Sequence, residues 1–312
     1  MRTKVVRPRT ACENVRDRRE RDVDVVTIRQ YPPPLRRPVL LAAFRGWNDA
    51  GEAASGALAT ISEMLAVRTF AAIDPEEFFD FQVTRPTVRF DRAGDRRINW
   101  PENQFSWAPV PATGRDVIVL NGTEPNLRWR AFTRGITDLA TRLGADRVVT
   151  LGALQVDVPH TRPAPLSGHA SDPHLATQLG LRHSDYEGPT GITAVLHEAC
   201  VSAGLEAISM WVGVPIYLAA TPYLASALAL AERTVRLLGT DLSLDRLARE
   251  AAAQRDDIAE LLTEDEDLAE YVRELEIRTD ADDTAELPAS TVSGDELAAE
   301  LERYLRERPG EA

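Results

Sequence analysis

The sequence predicts an α/β fold of three layers, a mainly parallel sheet between two layers of helices, with a helical region appended at the C-terminal end. Short unbroken apolar runs recur along the chain, the pattern of strands buried on both faces. Each is followed by a segment with helical periodicity, and strand-helix alternation of this kind builds parallel sheets. Beyond residue 240 the apolar side chains fall at i, i+3, i+4, i+7 spacing among carboxylates, as on helices with one buried face.

The elements follow in order. Residues 1–30 mix nine basic with five acidic residues and no apolar periodicity, and Pro32, Pro33 and Pro34 stop any helix. They are read as a disordered extension. Val39 to Phe44 is the first buried strand, and Ala50 to Leu65 the helix after it. Val67 to Ile73 is a second strand. The stretch from Val83 to Trp107 breaks the rhythm with antiparallel excursions around Thr87–Phe90, Arg97–Trp100 and Phe105–Trp107. Asp116 to Leu120 is a strand, Leu127 to Leu143 a helix, and Arg147 to Leu151 a strand that enters a long loop reaching Asp172. Then come the helix Thr190 to Ala203, the strand Ala207 to Val214 and the helix Leu224 to Leu238. Ile258, Leu261, Leu262, Leu268, Tyr271, Val272 and Leu275 mark the appended helices, and a last short helix is expected near Glu296 to Leu305. The expected domains are therefore residues 31–240 for the α/β core and 241–312 for an acidic helical appendage.

Composition excludes several functions. The 312 residues are 44% apolar and 27% charged, enough to bury a real core. Of 36 basic residues only Lys4 is lysine, so the core offers no Schiff-base or phosphate-gripping lysine. The net charge is −13, concentrated after Asp245, where 22 acidic residues face 8 basic ones. An acidic region of this kind repels nucleic acid and reads as a solvated helical face. Two cysteines far apart, Cys12 and Cys200, and an N-terminal stretch without an apolar core point to the cytoplasm. The 25 uncharged residues between Glu206 and Glu232 are divided by Gly213, Pro215 and Pro222, and read as strand, turn and helix rather than a membrane span.

Ligands of open α/β sheets sit beyond the carboxyl ends of the strands, which locates the candidate residues. After the first strand come Asn48 and Asp49; Asp49 with Glu52 also fits a helix capping box. After the strand ending at Leu120 come Glu124 and Arg128, either an i, i+4 ion pair beside caps at Thr123 or Asn126, or a carboxylate and a cation facing a ligand. The long loop supplies His160, a candidate acid or base, and Arg162, a candidate anion grip. His160, Glu124 and Asp49 are the catalytic candidates if there is catalysis. Thr190, in Glu187-Gly188-Pro189-Thr190-Gly191, is expected to cap the helix it introduces. The five histidines, His160, His169, His174, His183 and His197, lack metal-site spacing, and Cys200 has the surroundings of a core thiol. Nucleophile-elbow, dinucleotide and Walker patterns are missing from the sequence, so neither a cofactor nor a metal is expected.

Four segments carry a family resemblance: Phe44-Arg45-Gly46-Trp47-Asn48-Asp49-Ala50-Gly51, Ile73 through Pro86, Glu124-Pro125-Asn126-Leu127-Arg128-Trp129, and Glu187 through Gly191. Together they resemble the actinobacterial branch of the proteasome assembly chaperone 2 family, from about Val39 to Leu275. The resemblance implies a phosphorylase/hydrolase-like core, a homo-oligomer such as a trimer, and a protein partner, with proteasome subunits foremost. Many relatives dock through a terminal hydrophobic-tyrosine-any-residue tail. This chain ends Arg308-Pro309-Gly310-Glu311-Ala312, and Tyr304-Leu305-Arg306 is not terminal, so docking by tail insertion is not expected. Two functions follow as expectations. The first is a non-enzymatic protein-binding or assembly factor. The second is an enzyme or binder for a nucleoside-like or phosphate-bearing small molecule, with Asn48, Asp49, Glu124, Arg128, His160 and Arg162 lining one crevice.

Overall fold

A computed structural model describes residues 25–179, 181 and 187–281. Ten strands are present among them: β1 (Val26–Ile28), β2 (Val39–Arg45), β3 (Arg68–Ile73), β4 (Thr87–Phe90), β5 (Arg96–Asn99), β6 (Asn103–Val110), β7 (Arg115–Thr123), β8 (Arg147–Val156), β9 (Leu166–Ala170) and β10 (Glu206–Pro215). The helices are α1 (Ala53–Met64), α2 (Trp129–Arg142), α3 (Pro173–Gln178), α4 (Ile192–Ser202), α5 (Leu224–Leu238), α6 (Asp245–Glu264) and α7 (Glu266–Ala281).

Eight strands form one sheet in the order β1-β3-β6-β7-β2-β8-β10-β9. The central four, β7, β2, β8 and β10, run parallel. Antiparallel strands complete both edges. The alternation of side chains along β2 shows why the layers form. Val39, Leu41 and Ala43 join one cluster with Ala53, Leu58 and Ile61 of α1 and Leu230 of α5. Leu40, Ala42 and Phe44 join the other, with Phe132 and Ile136 of α2 and Ile192 and Leu196 of α4. A strand apolar at every position must be covered on both faces, and the sheet is. Cys200 is fully buried among the second set, and burial pushes its thiol up to about 12. The appended helices do not stand apart: Leu247 and Ile258 of α6 enter the first cluster, and Val272 and Leu275 of α7 are buried.

Three expectations need correction. Val26–Ile28, at the end of the stretch read as an extension, is an edge strand antiparallel to β3. Leu166–Ala170, within the stretch read as irregular loop, is an edge strand on β10. Both are short and locally weak, and each gains its pairing from a neighbour's open edge, which sequence pattern cannot show. The first helix starts at Ala53 rather than Ala50, because Gly51 and Glu52 take left-handed φ values of 53° and 46° and set a separate turn before it. The antiparallel excursions are present: β4 and β5 form their own hairpin, and β6 enters the main sheet. Cys12, His183 and the expected last helix lie outside the described residues. No described helix is long and apolar enough to cross a membrane.

Candidate functional site

The turn after β2 is held from several sides. Asn48 accepts the Ala153 N–H through its backbone carbonyl at 2.8 Å, which ties the turn to β8. Gly51 exchanges backbone hydrogen bonds with Ala219 and Tyr223, 3.2 and 2.8 Å long. The Asp49 carboxylate turns inward and accepts the N–H groups of Ala54 and Ser55 at 2.9 and 3.0 Å and the Ser55 hydroxyl at 2.5 Å. It therefore caps α1 across the extra turn, without Glu52 reciprocating. Burial raises its pKa, against the pull of those hydrogen bonds.

Glu124 lies beyond the carboxyl end of β7. One carboxylate oxygen accepts the Trp47 N–H at 3.1 Å, the other the Ile192 N–H at 2.8 Å, at the first residue of α4. A carboxylate at a helix N-terminus satisfies orphan amides and opposes the helix dipole, so Glu124 does the capping expected of Thr190. Two glycines make this contact possible. At Gly46, with φ +140°, a Cβ would come within 2.8 Å of the Glu124 Cβ. At Gly191 a Cβ would overlap Asn48 Oδ1 and come within 2.9 Å of Glu124 Oε1. Asn48 Oδ1 and Thr193 Oγ1 are buried there without a hydrogen-bond partner among the described residues.

Arg128 does not pair with Glu124. It takes a left-handed φ of 55° before α2, pairs with Glu77, and sets its guanidinium 5.6 Å from the centre of the Phe78 ring. Asn126 caps nothing at α2; its side-chain carbonyl accepts from the Asp80 N–H at 2.9 Å and the Thr84 hydroxyl at 3.0 Å. The segment after β3 thus anchors on this loop through Asp80 and Thr84, with Phe78 and Phe79 buried.

His160 and Arg162 belong to a different neighbourhood. The Tyr217 hydroxyl lies 2.8 Å from both the His160 N–H and His160 Nδ1. Burial lowers the imidazole pKa; Glu276 opposes this and Arg255 adds to it. Burial also pushes Tyr217 up to about 12. Arg162 forms a two-point pair with Asp280 at 2.8 and 2.7 Å and reaches Glu276 at 3.3 Å, both on α7. Tyr271 donates to Asp157 at 2.5 Å, and Arg278 pairs with Asp157 at 3.0 Å. So part of the acidic helical face, read from sequence as solvated, clamps α7 to the loop after β8.

The six candidates do not share one cavity. Glu124 lines a space of about 330 Å³ with Gly46, Asn126 and Trp129. His160 and Arg162 line another of about 500 Å³ beside α5. Asn48 and Asp49 are buried and line neither. Among the described residues no three His, Cys, Asp or Glu side chains are grouped to hold a metal. Sequence reasoning missed Tyr217, Tyr271, Glu276 and Asp280. The only signal for the last two was their i, i+4 spacing on one helix face.

The fold is shared with known proteins. The PAC2 family model matches residues 43–262, from within β2 through most of α6. The chain belongs to the PAC2 family. A PAC2 family protein from Streptomyces avermitilis is 44% identical, with a TM-score of 0.70 over 75% of this chain and 99% of that one. A proteasome-assembly chaperone homologue from Mycobacterium tuberculosis is 41% identical, with a TM-score of 0.68 over the same shares. A protein of unknown function from the same organism is 29% identical, with a TM-score of 0.75 over 82% of this chain and 91% of that one. No curated protein matches. The PAC2 match includes Gly46, Asn48, Glu124 and Gly191, the interlocked set at the carboxyl end of the sheet, and stops before α7.

Proposed function

We propose that this PAC2 protein is a non-enzymatic assembly factor that acts as a homo-oligomer in the cytoplasm on proteasome subunits. The observation that carries this reading is the 41% identity to the proteasome-assembly chaperone homologue over 99% of that protein. The use of the candidate residues supports it. Asp49 and Glu124 are occupied as helix caps, and Arg128 and Arg162 by ion pairs, so four of the six candidates are already engaged within the fold. His160 is turned to Tyr217, and burial lowers its pKa. The small-molecule reading needs the six side chains to converge, and they do not line one cavity.

The test is gel filtration with light scattering of the purified protein, alone and mixed with proteasome α and β subunits from the same organism. The expected result is an oligomer that co-elutes with one subunit type or changes its rate of assembly. An oligomer that elutes unchanged beside both subunits, and leaves assembly unaltered, would sink the proposal.

A further inference from the structure

The groove of about 500 Å³ beside α5 has chemistry that neither the fold nor the caps use. Its long wall is one face of α5: Ala225, Leu228, Ala229, Glu232, Arg233 and Arg236. These positions repeat at three and four residues, so they form a single stripe. The facing wall is the segment from His160 to Leu166, which brings Pro163, Ala164 and Leu166 over the same floor. From Ala225 to Arg236 the stripe is ~16 Å long at ~1.5 Å per helical residue. An extended chain of about five residues covers that length.

The charges sit at the two ends. Arg233 and Arg236 occupy the last turns of α5. Arg255 of α6 stands at the other end. Its neighbour Gln254 holds the Leu224 N–H at 2.8 Å and the Pro222 carbonyl at 2.7 Å, and its charge is felt by Tyr223 and His160. None of the three has a carboxylate partner among the described residues, whereas Arg162 is already neutralised by Asp280 and Glu276. Glu232 is the single carboxylate on the lining among the described residues. Of the other arginines of α6 and α7, Arg246 pairs with Glu63 and Glu250, Arg273 with Glu270, and Arg278 with Asp157, while Arg249, outside the groove, also has no carboxylate partner among the described residues. In a chain of net charge −13, three unneutralised guanidinium groups around one groove of small apolar side chains form a complementary surface for an anion with an apolar middle.

We propose that this groove binds an extended acidic segment of a partner protein, its end carboxylates on Arg255 and on Arg233 and Arg236, its small apolar side chains on Ala225, Ala229 and Leu166. A compact anion could engage one end but would leave the apolar floor and the opposite guanidinium uncovered, which is why length decides for a peptide. The proposal rests on the protein-binding reading above but does not need the partner to be a proteasome subunit.

The test uses the full chain and a fluorescein-labelled peptide of sequence Glu-Glu-Leu-Ala-Ala-Glu-Glu, followed by fluorescence anisotropy. The expected result is saturable binding that weakens as salt is raised. It weakens about tenfold or more in Arg233→Ala/Arg236→Ala and in Arg255→Ala, as for loss of a charge-assisted contact. Arg249→Ala, an exposed arginine of α6 outside the groove, leaves binding unchanged, and circular dichroism confirms that each variant is folded. No saturable binding, equal binding of the Lys-Lys-Leu-Ala-Ala-Lys-Lys peptide, or binding indifferent to the arginine substitutions overturns the proposal. So does arginine-dependent binding of inorganic pyrophosphate with no binding of the peptide, which would make the groove a small-anion site. Because no proteasome subunit takes part, failure here and failure of the assembly reading are separate results.

Discussion

Two regions of the molecule use charged residues in opposite ways. Around Glu124 the carboxylates turn inward and are consumed by backbone amides: Asp49 holds the start of α1, and Glu124 joins the Gly46–Trp47 turn to the start of α4. Around α5 the charges are arginines, Arg162 paired to α7 and three without a carboxylate partner among the described residues. The difference teaches that a polar cluster beside a sheet is not by itself a binding site. What matters is whether its hydrogen-bonding capacity is already taken. In the first region the capacity of the Asp49 and Glu124 carboxylates is taken, though not that of Asn48 Oδ1 or Thr193 Oγ1, so substitution of either carboxylate should cost stability. In the second it is not, so substitution should cost binding.

The largest effect is expected at Gly191. Its replacement by alanine drives a methyl into Asn48 and Glu124, and overpacking of this kind costs about 3 kcal/mol. Urea denaturation would show it, and a midpoint unchanged from the parent would mean that the interlock is loose. Glu124→Ala comes next. It leaves the Trp47 and Ile192 amides without their acceptor, at about 2 kcal/mol, with the loss concentrated in faster amide exchange over the first turn of α4. Asp49→Ala removes a cap at a cost of about 1 kcal/mol. Combined with Glu124→Ala, it should lose less or more than the sum if the turn couples the two, which a double-mutant cycle would read.

The second region gives the smaller effects. Burial lowers the His160 pKa from its ordinary 6.5, so the fold favours the neutral ring. The corresponding stability is fully present above pH 6.5 and is lost as pH falls through the depressed folded value. Denaturation midpoints should therefore decline on acidification through this window, and His160→Gln should flatten the decline; an identical slope in the variant would assign it to other groups. Arg162→Ala removes an exposed ion pair, and such pairs contribute little to stability. Its melting temperature should stay near that of the parent, while exchange in α7 quickens. A marked drop in melting temperature would make the α5 side as structural as the Glu124 side and erase the contrast.

How much was legible in the sequence depended on range. The strands β2, β7, β8 and β10 and the helix α5 were readable because unbroken apolar runs and helical periodicity are local signals, set by the need to cover both faces of the sheet. The edge strands β1 and β9 were not, since their stability comes from a neighbour's unpaired edge. At the candidate site the residues themselves were readable, as polar groups following strands, but their partners were not. Glu124 reads locally as a pair for Arg128, four residues away, and instead holds Ile192, 68 residues away. Arg162 reads locally as an anion grip and holds Asp280, 118 residues away.

By itself, then, the sequence determined the layered α/β core, the acidic helical appendage and the family, because those rest on periodicity, composition and contiguous motifs. The tertiary structure alone decided which polar groups remain free to meet a partner. A carboxylate or guanidinium has the same chemistry whether it is spent or available, and only the long-range packing that brings an amide or an opposite charge to it settles which it is.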